Sequence, residues 1–159
     1  MSGSARDLIR ALALTPHPEG GWYRELYRSS LAVTGPRGPR AALTTIYYLI
    51  ERTQSSRWHV VAADEVWHFY AGDALELLSY DPAARRLTRH LLAAPGAAAE
   101  PVAAVPAGHW QAARTHGEYS LVGCSVAPGF EFADFQFVAS LPGHAGHFAA
   151  ELAALRGLL

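Results

Sequence analysis

Between Trp22 and Val138 the chain offers one short β-type segment after another, with nothing of helical length separating them. WYRELYRSSLAV (22–33) alternates polar and aromatic residues with the period of a half-buried strand, and AALTTIYYLI (41–50) carries the β-branched and aromatic residues of a buried one. Trp58 to Val61 and Glu65 to Tyr70 read as two strands around a short turn. Next come ALELLSYDP (74–82), RLTRHLL (86–92), VAAVPAGHWQAART (102–115), YSLVGCSVAP (119–128) and FEFADFQFV (130–138). TGPRGPR (34–40) and PGAAAEP (95–101) read as loops. A parallel α/β sheet needs helical crossovers that this spacing does not provide, so mixed α/β architecture is disfavoured.

Helices are expected only at the two ends. Ser4 followed by Asp7 has the form of a capping box, with Leu8, Ile9 and Leu12 on one apolar face before Pro16 ends the element. AGHFAAELAALRGLL (145–159) has helical spacing and strong helix formers. The expectation is a single all-β domain over residues 1–159, a closed barrel or double-sheet jelly roll with short N- and C-terminal helices.

A formal charge of -1 with 17% charged residues lacks the basic footprint of a nucleic-acid binder, so the expected partners are small molecules or copies of the chain itself. The N-terminal stretch interrupts its apolar residues with charges, and no run is long enough to span a bilayer, which leads to the expectation of a cytoplasmic protein with no membrane partner. All 13 basic residues are arginine, which excludes lysine Schiff-base chemistry and a phosphate loop ending in lysine. The single cysteine, Cys124, excludes an internal disulfide or a cysteine-rich zinc site, and it reads as a buried inert thiol.

The stretch RWHVVAADEVWHFYAG (57–72) concentrates histidines, acids and large aromatics. Strand alternation puts Glu65, Trp67 and Phe69 on one face and Val66, His68 and Tyr70 on the other. A carboxylate between aromatic walls is costly unless it is paired, hydrogen-bonded or bound to a ligand. His59, on the preceding strand, is the nearest candidate partner.

These residues, together with HPEGGWYRELYRS (17–29), TTIYYLI (44–50), VPAGHWQAAR (105–114) and LVGCSVAPGFEFADF (121–135), resemble the cupin superfamily, and more closely its small branch called cupin family five. The resemblance spans most of the chain. It implies a double-stranded β-helix barrel with an internal pocket, assembled as a homodimer. The general cupin pattern is only partly kept: Arg57 and His59 stand at the two histidine positions of the first motif, Glu65 at its acid and Gly72 at its glycine. In the second motif Pro106 and Gly108 are kept, but Gln111 stands where a histidine belongs.

Two of three usual imidazole ligands are thus absent, so a native metal is not favoured; a divalent metal, if present, would use His59, Glu65 and Gln111, with His109 as a substitute. The favoured expectation is a metal-independent isomerase or epimerase of a carbohydrate-like or carbonyl compound, as among the cupins that epimerise nucleotide-linked keto-sugars. His59 would act as base, Glu65 or Asp64 would orient it, and Tyr47 or Tyr23 would serve the opposite face. Arg24 and Arg57 would hold substrate oxygens, Trp67 would stack, and Glu19 and Gln111 would border the pocket. Two other readings stand beside it: a non-catalytic ligand-binding or sensor module, and a metal-dependent cupin enzyme.

Overall fold

The structure, a computed structural model, describes residues 4–35, 37–96 and 98–159. In chain order its strands are β1 (Thr15–Pro16), β2 (Trp22–Arg28), β3 (Ala32–Gly35), β4 (Gly38–Ala41), β5 (Thr44–Glu51), β6 (Ser56–Val61) and β7 (Asp64–Gly72). They continue with β8 (Leu75–Asp81), β9 (Arg86–Leu92), β10 (Val102–Val105), β11 (Trp110–Thr115), β12 (Tyr119–Ala127) and β13 (Phe135–Phe137). One sheet has the order β1-β2-β5-β12-β7-β10 and the other β13-β6-β11-β8-β9, a jelly-roll sandwich whose pairings are antiparallel.

The two sheets share one interior. Tyr48, Ile50, Trp67, Val122 and Cys124 from the larger sheet pack against Leu75, Leu77 and Ala113 from the smaller one. Strand β8 is buried on both faces, which explains its nearly continuous apolar run: Leu75 and Leu77 face inward, while Leu78 and Tyr80 lie under the C-terminal segment. That segment is a short helix α2 (His144–Phe148) followed by a 3-10 turn (Ala153–Leu158), rather than the single long helix that its composition suggests. It lays Phe148, Leu152, Leu155 and Leu158 over Trp58 and Trp110 on the outer face of the smaller sheet. Full burial of side chains of this size is worth about 1.5–3 kcal/mol each, so this cover is a large part of the stability.

Helix α1 (Ala5–Ala11) has the expected Ser4–Asp7 capping box and packs Leu8 and Ile9 over Leu49 and Leu121 on the outside of the larger sheet. Two local expectations are corrected. TGPRGPR is not a plain loop: Gly35 and Gly38 belong to a two-stranded hairpin, β3 with β4, whose arginine Arg40 reaches Asp134 at 2.7 and 3.0 Å. The segment from Phe130 is not one strand either, because a 3-10 turn (Phe132–Asp134) precedes β13. No described helix is long and apolar enough to cross a membrane.

Candidate functional site

A cavity of about 250 Å³ lies between the sheets. Its polar lining includes buried Glu19, Thr44, His59 and Glu65 and half-buried His17, and its walls include Tyr23, Ile46, Tyr48, Val61, Cys124 and Phe130. Exposed Glu25, Arg28, Glu131 and Phe132 mark its mouth.

The turn HPEGG builds one side. Gly20 donates to the His17 carbonyl at 3.0 Å, His17 N–H donates to the Gly21 carbonyl at 2.9 Å, and the Tyr48 hydroxyl donates to the Gly20 carbonyl at 2.7 Å. Gly20 has φ +113°, and a Cβ there would stand 2.1 Å from the Ser55 carbonyl oxygen, so only glycine permits this close docking. The result is that Glu19, 6% exposed, enters the sandwich against β6. Its Oε1 accepts from the Ser56 hydroxyl at 2.9 Å, and its Oε2 lies 3.3 Å from His59 Nε2.

His59 is 2% exposed and stacks on Phe135, with ring centroids 5.1 Å apart. Its Nδ1 lies 2.7 Å from the Arg57 carbonyl, which can only accept, so Nδ1 carries a proton. The contact between Nε2 and the Glu19 carboxyl is then attractive only with one further proton between them. Burial pushes Glu19 up from the ordinary carboxyl range and His59 down from the ordinary imidazole value. Both shifts favour a neutral carboxylic acid donating to a neutral imidazole.

Glu65 sits on β7, 7% exposed, with its side chain on the inner face. Burial raises it to about 7, against the opposing influence of His59 and of the Gln111 amide, which donates to Oε2 at 2.6 Å. Gln111 is fixed in turn because its Oε1 accepts from the Trp67 indole at 3.1 Å, an indole nitrogen being a donor only. Cys124 faces Glu65, and burial holds its thiol far above the usual value, as an inert core group.

His59, Glu65, Glu19 and Tyr23 therefore come together around the cavity. Tyr47 does not: it pairs with Arg24 and Gly123 on the opposite face of the sheet, and its ring lies 6.0 Å from that of Tyr70. The tyrosine of β5 that faces inward is Tyr48. Arg24 touches the cavity wall, but its guanidinium lies 5.7 Å over the Tyr47 ring on that same outer face. Arg57 stacks over Phe137 at 4.4 Å and donates to the Pro18 carbonyl, away from the cavity. Trp67 and Gln111 form the layer beneath Glu65 rather than the cavity surface. Asp64 accepts from the Ala107 N–H at 2.8 Å, and His109 turns toward Ser79 and Asp81.

The metal set His59, Glu65 and Gln111 does not fit a cupin-type centre, since both polar ends of Gln111 are spent on Trp67 and Glu65. His17 Nδ1 likewise accepts the Glu19 N–H at 3.2 Å. Among the described residues, no three His, Cys, Asp or Glu side chains group as ligands.

The arginine at the mouth was not singled out from sequence. Arg28 donates to Glu25 at 3.1 and 2.9 Å, to Glu131 at 3.0 Å and to the Phe130 carbonyl at 3.0 Å, tying β2 to the segment after β12.

Residues 6–138 match the family described as Cupin superfamily (DUF985). A protein of Shewanella oneidensis is similar at 35% identity and TM-score 0.81, over 94% of this chain and 95% of that one. A hypothetical protein from Leishmania major is similar at 35% identity and TM-score 0.75, over 84% and 86%. A dTDP sugar isomerase from Desulfovibrio desulfuricans shares 12% identity at TM-score 0.55, over 79% and 87%, a likeness of fold alone. No curated protein matches the chain.

Proposed function

This chain belongs to the cupin superfamily, in the DUF985 family, and we propose that its cavity binds a small carbonyl compound and moves a proton on it, as an isomerase or epimerase that needs no metal for the step. The observation that carries this reading is Glu65, an acid held at about 7 and turned toward an enclosed cavity beside the proton-sharing pair His59 and Glu19. A proton-transfer group works best when its pKa lies near the working pH, and burial brings this one from 4.5 up to about 7.

The geometry shifts the base role from His59 to Glu65. Nε2 of His59 is engaged by Glu19, whereas Glu65 is held by the Gln111 amide and the Cys124 thiol and retains proton-accepting capacity toward the cavity. In the proposed step Glu65 removes the hydrogen next to the substrate carbonyl, and the electron pair of the C–H bond forms the enolate. Return of that proton by Glu65 to the neighbouring carbon, with the hydroxyl proton there passing to the former carbonyl oxygen, completes isomerisation; epimerisation instead takes a proton from water on the opposite face, and Glu65 gives its own up to solvent. His17 supports the enolate oxygen: its Nδ1 accepts the Glu19 N–H, so its Nε2 carries the proton and can donate. The fold likeness to a sugar isomerase agrees with this reaction class but does not carry it.

The test is incubation of the protein in D2O with small α-hydroxy ketones and aldoses, followed by NMR. Deuterium incorporation next to the carbonyl is expected, with loss in Glu65→Gln and reduction in His59→Gln, both checked for native folding. Binding of a compound without exchange would replace this reading with that of a non-catalytic ligand-binding cupin.

A further inference from the structure

We infer that the cavity selects a compound carrying a protonated amine next to an oxygen function, an amino sugar or an amino-carbonyl compound, and discriminates against carboxylates and phosphates. This rests on the proton-transfer reading of the same site and narrows its substrate class.

The argument begins with the charges that line the cavity. Four carboxyl groups contribute to it, Glu19 and Glu65 inside and Glu25 and Glu131 at the mouth. Two arginines contribute, and neither offers a free guanidinium. Arg24 directs its own over Tyr47 on the far face, and Arg28 is shared between Glu25 and Glu131. Both interior histidines are pushed toward neutrality by burial. An entering anion would therefore find Arg28 already shared between two carboxylates and the Arg24 guanidinium turned to the outer face, while an entering ammonium would meet Glu65, whose ionised form it stabilises. The walls suit the same ligand, since the rings of Tyr23, Tyr48, Phe130 and Phe132 all contribute, and aromatic faces attract organic cations.

A second, separate observation asks for an oxygen on the ligand. The His17 side chain is 7% exposed and lines the cavity, yet its protonated Nε2 has no hydrogen-bond partner among the described residues. That N–H opens onto the cavity rather than onto a protein acceptor, and a hydroxyl or carbonyl oxygen of the ligand would accept from it in place of solvent. The cavity, about 250 Å³, is of a size to enclose a single sugar ring.

Three probes that share a skeleton separate charge from shape: D-glucosamine, D-glucose and D-glucuronate, titrated into the protein by calorimetry. Glucosamine is expected to bind roughly tenfold or more tightly than glucose, with glucuronate weakest, and Glu65→Gln is expected to abolish the preference for the amine. A measurement on the unaltered protein stands beside the variant: glucosamine binding near pH 6, where the free amine is already charged, should release a proton, seen as a dependence of the heat on buffer ionisation enthalpy, because the ammonium lowers the affinity of Glu65 for its proton. Equal or tighter binding of glucuronate, absence of binding by all three sugars, or proton uptake with glucosamine would overturn the assignment. Deuterium exchange into a neutral ketose, retained while the amine preference is missing, would overturn this inference alone. An amine preference without exchange would overturn the proton-transfer reading alone.

Discussion

Gln111 Nε2 and Glu65 Oε2 meet at 2.6 Å, so the residue at a ligand position of the general cupin pattern here serves as support for the acid that faces the cavity. The support runs one step deeper, because the Trp67 indole orients the Gln111 amide. The Gln111 amide is thus a neutral donor to Glu65, weaker in its effect than neighbouring His59. That leaves burial as the dominant influence on its titration.

Replacing Gln111 by alanine should raise the Glu65 titration above about 7, since the amide bond favours the ionised form. The Trp67 indole loses its acceptor, and the variant should lose roughly 1–3 kcal/mol of stability. Carbon-13 NMR of labelled glutamate reads the first effect and urea unfolding the second. A Glu65 titration that falls or stays in place would contradict the support role.

Glu65 also makes a prediction about pH. Its folded value of about 7 stands above the ordinary 4.5, so between these values the native state binds more protons than the unfolded one. Its contribution is fully present below about pH 4.5 and is lost as pH rises through about 7, a change of roughly 3 kcal/mol. Glu19, also raised by burial, acts with the same sign, and His17 and His59, lowered by burial, act with the opposite sign around their own range, so the total curve mixes all of them. The difference between the parent protein and Glu65→Gln isolates the acid: the variant should gain relative stability from pH 5 to 8 in urea unfolding. A flat difference would mean that Glu65 is not held near neutrality.

The sequence made the sandwich visible because short β-branched and aromatic segments follow one another without helical crossovers, and in β7 Glu65, Trp67 and Phe69 do share the inner face as alternation requires. It placed Tyr47 wrongly with respect to the cavity because TTIYYLI is apolar or aromatic on both faces: one face meets the interior and the other meets helix α1, so no polar residue marks the register. The partnership of Glu19 with His59 was hidden for a different reason. It depends on a tight glycine turn folding back over the connection between β5 and β6, a contact across 40 positions that no local pattern encodes. The tie made by Arg28 was hidden because, beside Glu25 on its own strand, its other partner Glu131 lies 103 positions away.

Arg28→Gln should loosen the cavity mouth with little effect on the fold. Its side chain is 37% exposed, and ion pairs so exposed are worth less than about 1 kcal/mol, so the unfolding midpoint should hardly move. The segment from Gly129 to Asp134 loses its tie to β2, while Arg40 continues to hold Asp134. Hydrogen exchange should accelerate at the Phe130 amide, which donates to Thr44 Oγ1, and remain unchanged in β5 and β12. Uniform acceleration across the protein would show instead that Arg28 matters to global stability.

Gly20→Ala should cost far more than the same change at Gly108. Both glycines have positive φ, +113° and +79°, but a Cβ at Gly108 meets open space whereas one at Gly20 meets the Ser55 carbonyl oxygen at 2.1 Å. Gly108→Ala therefore bears only the left-handed penalty of about 1–2 kcal/mol. Gly20→Ala adds a backbone collision that only displacement of the turn relieves, for a loss of at least roughly 3 kcal/mol. Because this turn carries Glu19 to His59, the displacement should also separate the proton-sharing pair, changing the His59 ring nitrogen shifts in nitrogen-15 NMR while Gly108→Ala leaves them in place. Equal stability losses at the two glycines would mean that the close docking of the turn on Ser55 does not form, and with it would go the geometry that joins Glu19 to His59.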